Sequence, residues 1–363
     1  MRQTSKRKIE HLRLCTEEDV ESKGGGFEDI TLIHKALPEI DKNKIDLSIN
    51  FLGKQLNAPI LIASMTGGHP DTKNINAALA SAAEELGIGM GVGSQRAAVE
   101  DSKQEDSFRI VRDVAPSAFI YANVGAPQLK EYGIEGIEKM IEMIDADAVA
   151  IHLNFLQEAI QPEGDTDAYG CLDTIKEICA QSSVPVMVKE TGAGISHEVA
   201  VALKKAGVSA IDVGGRGGTS FAAVEVYRAR AEGDELLEHL GKVFWDWGIP
   251  TTISIVESSV GIPIIATGGV RTGIDMAKCL ALGASLCSIA LPLVIPARKG
   301  KQEIINRLNI MTEELRTAMF LTGCRSVTDI GSAQIVITGK TREILEQRGF
   351  NIRQFSKYNG GIK

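Results

Sequence analysis

Val149 to Asp165 reads V-A-I-H-L-N-F-L-Q-E-A-I-Q-P-E-G-D, and its opening residues decide the fold. Ala148 to Leu153 is a short apolar run with β-branched members, the pattern of a strand buried in a parallel sheet. At its exit the character changes: His152, Asn154, Gln157 and Glu158 fall within seven residues, and a loop with Glu163 and Asp165 follows. Strand ends that turn abruptly polar are where α/β enzymes keep their chemistry. The strand fixes the residue and the loop leaves it exposed. A lone histidine beside an apolar run is ordinarily a satisfied core residue, but four polar groups this close together point to a site.

Working outward, the same strand-then-helix rhythm repeats. Short apolar runs occur at Pro59–Ser64, Gly89–Ser94, Ala118–Val124, Pro185–Glu190, Ala210–Gly215, Pro263–Gly269 and Ser285–Leu291. Helix-forming stretches such as N-I-N-A-A-L-A-S-A-A-E-E-L-G (74–87) and H-E-V-A-V-A-L-K-K-A-G (197–207) follow most of them and end in a helix-stopping glycine. Eight such units spaced about 25–40 residues apart predict an α/β fold, a closed (β/α)8 TIM barrel. Residues 1–57 lack the rhythm and read as an N-terminal arm and cap with a hairpin in I-D-L-S-I-N-F-L-G-K-Q-L (45–56). Residues 58–323 form the barrel, and 324–363 a helical tail packed on it. A long insertion follows strand six, between Gly215 and Pro263; it holds charged helix material from Arg228 to Lys242, with Trp245 and Trp247 as packing or lid residues.

Composition narrows the class. The 363 residues are 44% hydrophobic, as in a soluble globular protein with a sizeable core, and their net charge of −8 argues against nucleic acid as the main partner. No apolar run reaches the roughly 18–20 residues of a membrane span, and the basic start lacks a secretory core. Six cysteines without a C-x-x-C spacing predict reduced thiols and a cytoplasmic location.

A barrel requires its functional groups to gather just after each strand, on one face. Ser64-Met65-Thr66-Gly67-Gly68, Ser94-Gln95-Arg96, Asn123, the opening cluster, Lys189-Glu190, Gly214 to Thr219, Gly268 to Arg271 and Ala290 meet that requirement. After strand seven, A-T-G-G-V-R-T-G-I-D-M-A brings glycine backbone to a ligand and opens a helix whose free N–H groups favour an anion. A phosphate monoester is the expected ligand there, with Thr219 adding a hydroxyl. Lys189 ends P-V-M-V-K-E, so its ammonium enters the barrel mouth. A lysine there together with a strand-seven phosphate grip is the arrangement of FMN barrels, where the cation holds the electron-rich edge of a reduced flavin. A Schiff-base lysine is the alternative.

The motifs R-K-I-E-H (7–11), A-S-M-T-G-G (63–68), G-V-G-S-Q-R (91–96), H-L-N-F-L-Q-E (152–158), Q-P-E-G-D (161–165), V-K-E-T-G-A-G-I-S (188–196), G-G-R-G-G-T-S (214–220) and G-G-V-R-T-G (268–273) together resemble the type 2 isopentenyl-diphosphate delta-isomerases nearly end to end. The resemblance implies an FMN- and Mg²⁺-dependent enzyme that interconverts isopentenyl and dimethylallyl diphosphate, with NADPH or NADH needed only to reduce the flavin. Carried over, it sets FMN against Ser64, Met65, Thr66, Ser94, Asn123, Lys189, Thr219, Gly268, Gly269, Ala290 and Leu291. The diphosphate would meet Arg7, Lys8, His11, Ser94, Gln95, Arg96, His152, Asn154 and Gln157, and Glu158 would hold Mg²⁺. Gln157 and Glu158 are the catalytic candidates among side chains, Gln157 as a proton relay. A homo-oligomer, tetramer or octamer, is expected as well. The rival reading, an FMN-dependent 2-hydroxy-acid oxidoreductase, wants a His–Arg pair late in the chain, and no histidine follows His239.

Overall fold

The computed structural model describes residues 3–356, with the side chains of the first helix described from Lys8 onward, Ile9 excepted. The chain enters through helix α1 (Gln3–Glu17), strand β1 (Ile30–Leu32) and a hairpin of β2 (Ile49–Phe51) and β3 (Lys54–Leu56). Eight parallel strands then close a barrel in chain order. They are β4 (Ile60–Ile62), β5 (Gly89–Gly91), β6 (Phe119–Gly125), β7 (Ala148–Leu153), β8 (Val186–Glu190), β9 (Ala210–Asp212), β10 (Ile264–Ala266) and β11 (Leu286–Ile289). Strand β11 pairs back onto β4, with Cys287 opposite Ile60 and Ile289 opposite Ile62. All eight strands fall within or against the runs read from the sequence.

Between strands lie α2 (Lys73–Leu86), α3 (Arg96–Glu100), α4 (Asp106–Val114), α5 (Leu129–Ile144), α6 (Phe155–Ile160), α7 (Cys171–Gln181) and α8 (His197–Lys205). The insertion after β9 is built by α9 (Phe221–Glu232) and α10 (Glu235–Val243), and α11 (Thr251–Glu257) leads into β10. The chain finishes through α12 (Gly273–Ala281), α13 (Leu291–Lys299), α14 (Lys301–Thr322), α15 (Val327–Ile330), β12 (Ile335–Ile337) and α16 (Gly339–Gln347). The tail is therefore not wholly helical: β12 pairs antiparallel with β1, Ile30 opposite Ile337, and ties the two ends of the chain together. In the insertion, Trp245 donates its indole N–H to Glu21 O and packs edge-on to Tyr227, a packing role, while Trp247 is 61% exposed beside Phe244.

The barrel interior explains the sequence of each strand. Leu61, Phe119, Tyr121, Ala150, Met187, Ile265 and Leu286 form one buried cluster, closed from below by Phe51 and Leu56 of the hairpin. The hairpin turns on Leu52 and Gly53, both at positive φ (48° and 87°), the geometry of a two-residue turn that matches strand twist. Strand β5 reads Gly-Met-Gly because its neighbour's aromatics fill the centre. A Cβ at Gly91 would lie 2.1 Å from the Tyr121 ring. Two residues further along β6, β7, β8 and β9, the inward positions become Asn123, His152, Lys189 and Asp212. A side chain's face repeats every second residue. The apolar fill therefore gives way to a polar layer at the strands' C-terminal ends.

Candidate active site

That polar layer floors a cleft of about 1500 Å³, its open mouth included. Asn123 donates its side-chain N–H to Val92 O at 3.1 Å, which turns its carbonyl oxygen toward His152 Nδ1 at 2.9 Å. The imidazole therefore carries a proton on Nδ1 and is fixed in the cleft wall. Lys189 lies opposite Asp212 in the β8–β9 register, both side chains buried. Burial holds the Lys189 ammonium below the ordinary lysine value, with Asp212 and Glu190 opposing, and burial likewise raises Asp212 against the pull of Lys189. Glu190 accepts backbone N–H groups from Thr191, Gly192, Ala193 and Gly194, so one carboxylate pins the loop after β8. Burial nevertheless pushes its pKa up to about 7, against those donors and Lys189.

Most of the residues read from the sequence meet here. Ser64 and Met65 after β4, Ser94 and Arg96 after β5, and Lys8 and His11 from α1 all border the cleft. So do His152, Asn154, Gln157 and Glu158 around β7 and α6, together with Thr219, Gly268, Gly269, Ala290 and Leu291. Arg96 is held by Glu100 at 2.7 Å. The Arg7 side chain lies outside the described residues. Two residues fail to reach the cleft. Gln95 is fully buried, its amide donating to Met140 O at 2.9 Å and its carbonyl accepting from Asn123 N at 3.1 Å. It locks the loop after β5 to β6 and α5 rather than meeting a ligand, so its expected diphosphate contact is corrected. Thr66 is also buried outside the cleft lining, its Oγ1 without a hydrogen-bond partner.

The strand-seven expectation needs a further correction. The N–H groups at the start of α12 are not free. Thr272 and Asp275 form a reciprocal capping box, Asp275 also accepts from Arg271 N at 3.1 Å, and Glu314 accepts from Gly273 N at 2.6 Å. The helix end open to an anion is that of α13, whose N-cap Ala290 offers no side-chain cap and borders the cleft. Gly268 and Gly269 serve first to let two loops interlock. A Cβ on Gly268 would lie 2.0 Å from Gly215 O, and one on Gly269 2.2 Å from Gly217 O. What the glycines leave toward the cleft is exposed backbone beside Thr219, a lining suited to a phosphate monoester.

Opposite this glycine-built wall stands a carboxylate. Glu158 accepts from Asn154 Nδ2 at 2.7 Å, Gln161 Nε2 at 2.7 Å and Asp165 N at 2.8 Å. The other end of the Asn154 amide, its Oδ1, is buried without a hydrogen-bond partner. A held carboxylate beside an unpartnered carbonyl oxygen is an all-oxygen donor pair and fits a hard cation. Among the described residues no three His, Cys, Asp or Glu side chains converge as a metal cage. Such a cation would therefore draw its other ligands from water and a ligand's phosphates.

The chain is 66% identical to an isopentenyl-diphosphate delta-isomerase of Methanosarcina barkeri over 97% of each chain. The chain belongs to the isopentenyl-diphosphate delta-isomerase family. Within that family, the protein of Archaeoglobus fulgidus is 57% identical over 95% of this chain and 99% of its own. The model of the FMN-dependent dehydrogenase family matches residues 5–118 and 154–337, so this isomerase belongs to the flavin barrels. Solved structures agree on the fold. A protein described as a lactate oxidase of Pediococcus acidilactici superposes with a TM-score of 0.65 at 18% identity, covering 91% of this chain and 87% of that one. A mandelate oxidase gives 0.61 at 17% identity, over 90% and 95%.

Three groups escaped the reading of the sequence. Asp212 sits as a single carboxylate at the end of a buried strand, where its inward register with Lys189 was the available signal. Glu225 and Arg228 lie on α9 and are 1% and 4% exposed, where the sequence from Arg228 onward reads only as charged helix material. Glu225 accepts from Gln157 Nε2 at 3.0 Å and lies 3.5 Å from His11 Nε2.

Proposed function

We propose that this chain interconverts isopentenyl and dimethylallyl diphosphate by an allylic proton shift, using reduced FMN, with Mg²⁺ to bind the diphosphate. The observation that carries the reading is the 66% identity over 97% of both chains to a protein of that name, in a chain whose cleft is lined by Lys189 and by Lys8, His11, Arg96 and His152. Residues on the glycine-built wall, with Ser64, Met65, Ser94 and Asn123, would hold the flavin, and Lys189 would favour its anionic reduced form. When bound, reduced FMN supplies an exchangeable proton and an electron-rich face that stabilises developing positive charge.

The chain's own residues supply the rest. Lys8, His11, Arg96 and His152 would bind the diphosphate by charge-assisted hydrogen bonds, joined by Arg7 and Ser94. Glu158, with Asn154 Oδ1, would hold Mg²⁺ against those phosphates. Gln157, its amide held by Glu225, would act as a relay that takes a proton at its carbonyl oxygen as it releases one from its nitrogen, since an amide is too poor an acid to be the proton source. The buried floor excludes water from an unactivated alkene, a very weak base. NADPH or NADH would serve only to reduce the flavin. A homo-oligomer, tetramer or octamer, in the cytoplasm completes the proposal, and among the described residues no helix is long and apolar enough to cross a membrane.

The test is to assay purified holoprotein anaerobically with isopentenyl diphosphate, before and after flavin reduction, with and without Mg²⁺. Dimethylallyl diphosphate should form only with reduced flavin and Mg²⁺. Oxygen consumption with a 2-hydroxy acid, and no isomerisation, would favour the oxidoreductase reading instead.

A further inference from the structure

Arg228 sits where three segments of the chain meet. Its Nε pairs with Glu10 of α1 at 3.1 Å and one terminal nitrogen with Glu225, a turn back on α9, at 2.6 Å. The other terminal nitrogen pairs with Glu163, in the loop after α6, at 2.9 Å. Burial works against this guanidinium's charge, yet Glu225 and Glu163 carry its pKa above the ordinary arginine value. A buried ionic cluster is a weak device for stability, since apolar replacements of similar volume are often neutral or better. Its use is more specific: a guanidinium is a rigid planar fork, so it fixes the geometry of every carboxylate it holds.

Each of those carboxylates leads to the cleft. Glu10 stands between Lys8 and His11, both cleft residues. Glu225 fixes the amide of Gln157. Glu163 belongs to the loop whose Gln161 and Asp165 hold Glu158. The arm rests on α9 through apolar contacts too, with Leu14 and Val20 packed against Ala223 and Val224. His11 lies edge-on to Phe221 at 5.9 Å.

We infer that Arg228 is a positioning residue that latches the N-terminal arm over the cleft and, through the same guanidinium, sets Gln157 and the Glu158 loop. One guanidinium thus serves both arm closure and alignment of the site, through different carboxylates. The latch stands on the geometry alone; its kinetic consequence rests on the isomerase reading, because that reading gives Lys8 and His11 a diphosphate to bind.

The experiment compares FMN-loaded wild type, Arg228→Lys and Glu10→Gln. Hydrogen–deuterium exchange of the arm is followed with and without Mg²⁺ and inorganic diphosphate, beside steady-state kinetics and FMN titration. Arg228→Lys keeps charge but loses the fork, so exchange across residues 10–17 should quicken about tenfold, the scale of one lost charge-assisted hydrogen bond. Its KM should rise and its kcat fall, each by about tenfold, with FMN affinity unchanged within about twofold. Glu10→Gln releases only the arm, so KM should rise while kcat holds. Arm exchange like wild type in Arg228→Lys would overturn the latch. So would FMN affinity falling in step with kcat, the mark of a merely structural residue, or a fall in kcat in Glu10→Gln equal to that in Arg228→Lys. If the isomerase reading fails, wild type itself shows no turnover, while the exchange data still judge the latch.

Discussion

The wall of the cleft formed by β9, β10 and β11 is rich in backbone: loops at 214–219 and 268–269 interlock through glycines beside Thr219 and Leu291, and α13 starts uncapped at Ala290. The wall formed by α1, β7, α6 and α9 is made of charged side chains that hold one another: Glu10, Glu163, Glu225, Arg228, and Glu158 with its three donors. Backbone contacts suit a ligand that stays, because they are fixed by the fold and give little ground. Side-chain networks suit a ligand that comes and goes, since each member can be reset by a small movement. The floor between them belongs to the rigid barrel, and the proposal gives its Asn123 and Lys189 to the flavin and its His152 to the diphosphate.

If the walls are separable in this way, Glu158→Gln should have the largest effect. It keeps the size of the side chain and removes the charge a cation needs, so turnover should fall at least about 100-fold at limiting Mg²⁺. Steady-state kinetics across a Mg²⁺ series, with FMN content measured on the same samples, check it. Near-normal turnover would move the metal to Glu163 or Asp165. On the other wall, Gly268→Ala puts a Cβ 2.0 Å from Gly215 O at a backbone φ of 106°. It should cost about 1–3 kcal/mol of stability and loosen FMN, visible in thermal melts and flavin fluorescence.

A pH test addresses the floor's edge. Folding raises the Glu190 pKa from 4.5 to about 7, so in that interval the folded chain binds more proton than the unfolded one. Stability from this group is present below the lower value and is lost as pH rises toward 7. Wild type should therefore lose melting temperature across that window faster than Glu190→Gln. Parallel pH profiles would contradict the assignment. The smallest effect on activity belongs to Gln95→Ala. It strands Asn123 N in the interior, while Met140 O keeps its helical donor, at about 1–3 kcal/mol in stability, yet should leave KM within about twofold.

The sequence carried the barrel plainly, because a buried parallel strand declares itself as a short apolar run and the polar strand ends then fall in one place. Ala148–Leu153 with His152, Asn154, Gln157 and Glu158 behind it was legible for that reason. Gln95 was not, since a polar residue after a strand looks the same whether it faces a ligand or seals a loop. The capped start of α12 could have been read: Thr272-Gly273-Ile274-Asp275 has the spacing of a capping box, which occupies the N–H groups an anion would use. Arg228 and Glu225 stayed hidden because α9 is buried on several sides, so its charges have no apolar stripe to be read against. Only the fold shows that two distant carboxylates, Glu10 and Glu163, join Glu225 on one guanidinium.

The division between the walls is tested most directly by a crossed titration. FMN, and separately Mg²⁺ with inorganic diphosphate, are titrated into Lys189→Met and Glu158→Gln, the diphosphate into FMN-loaded protein. Lys189→Met should weaken FMN by about tenfold or more, the loss of one charge-assisted contact, and leave diphosphate binding within about twofold. Glu158→Gln should show the reverse. Either variant weakening both ligands by the same factor would mean that the cleft is one coupled site and that its walls do not work apart.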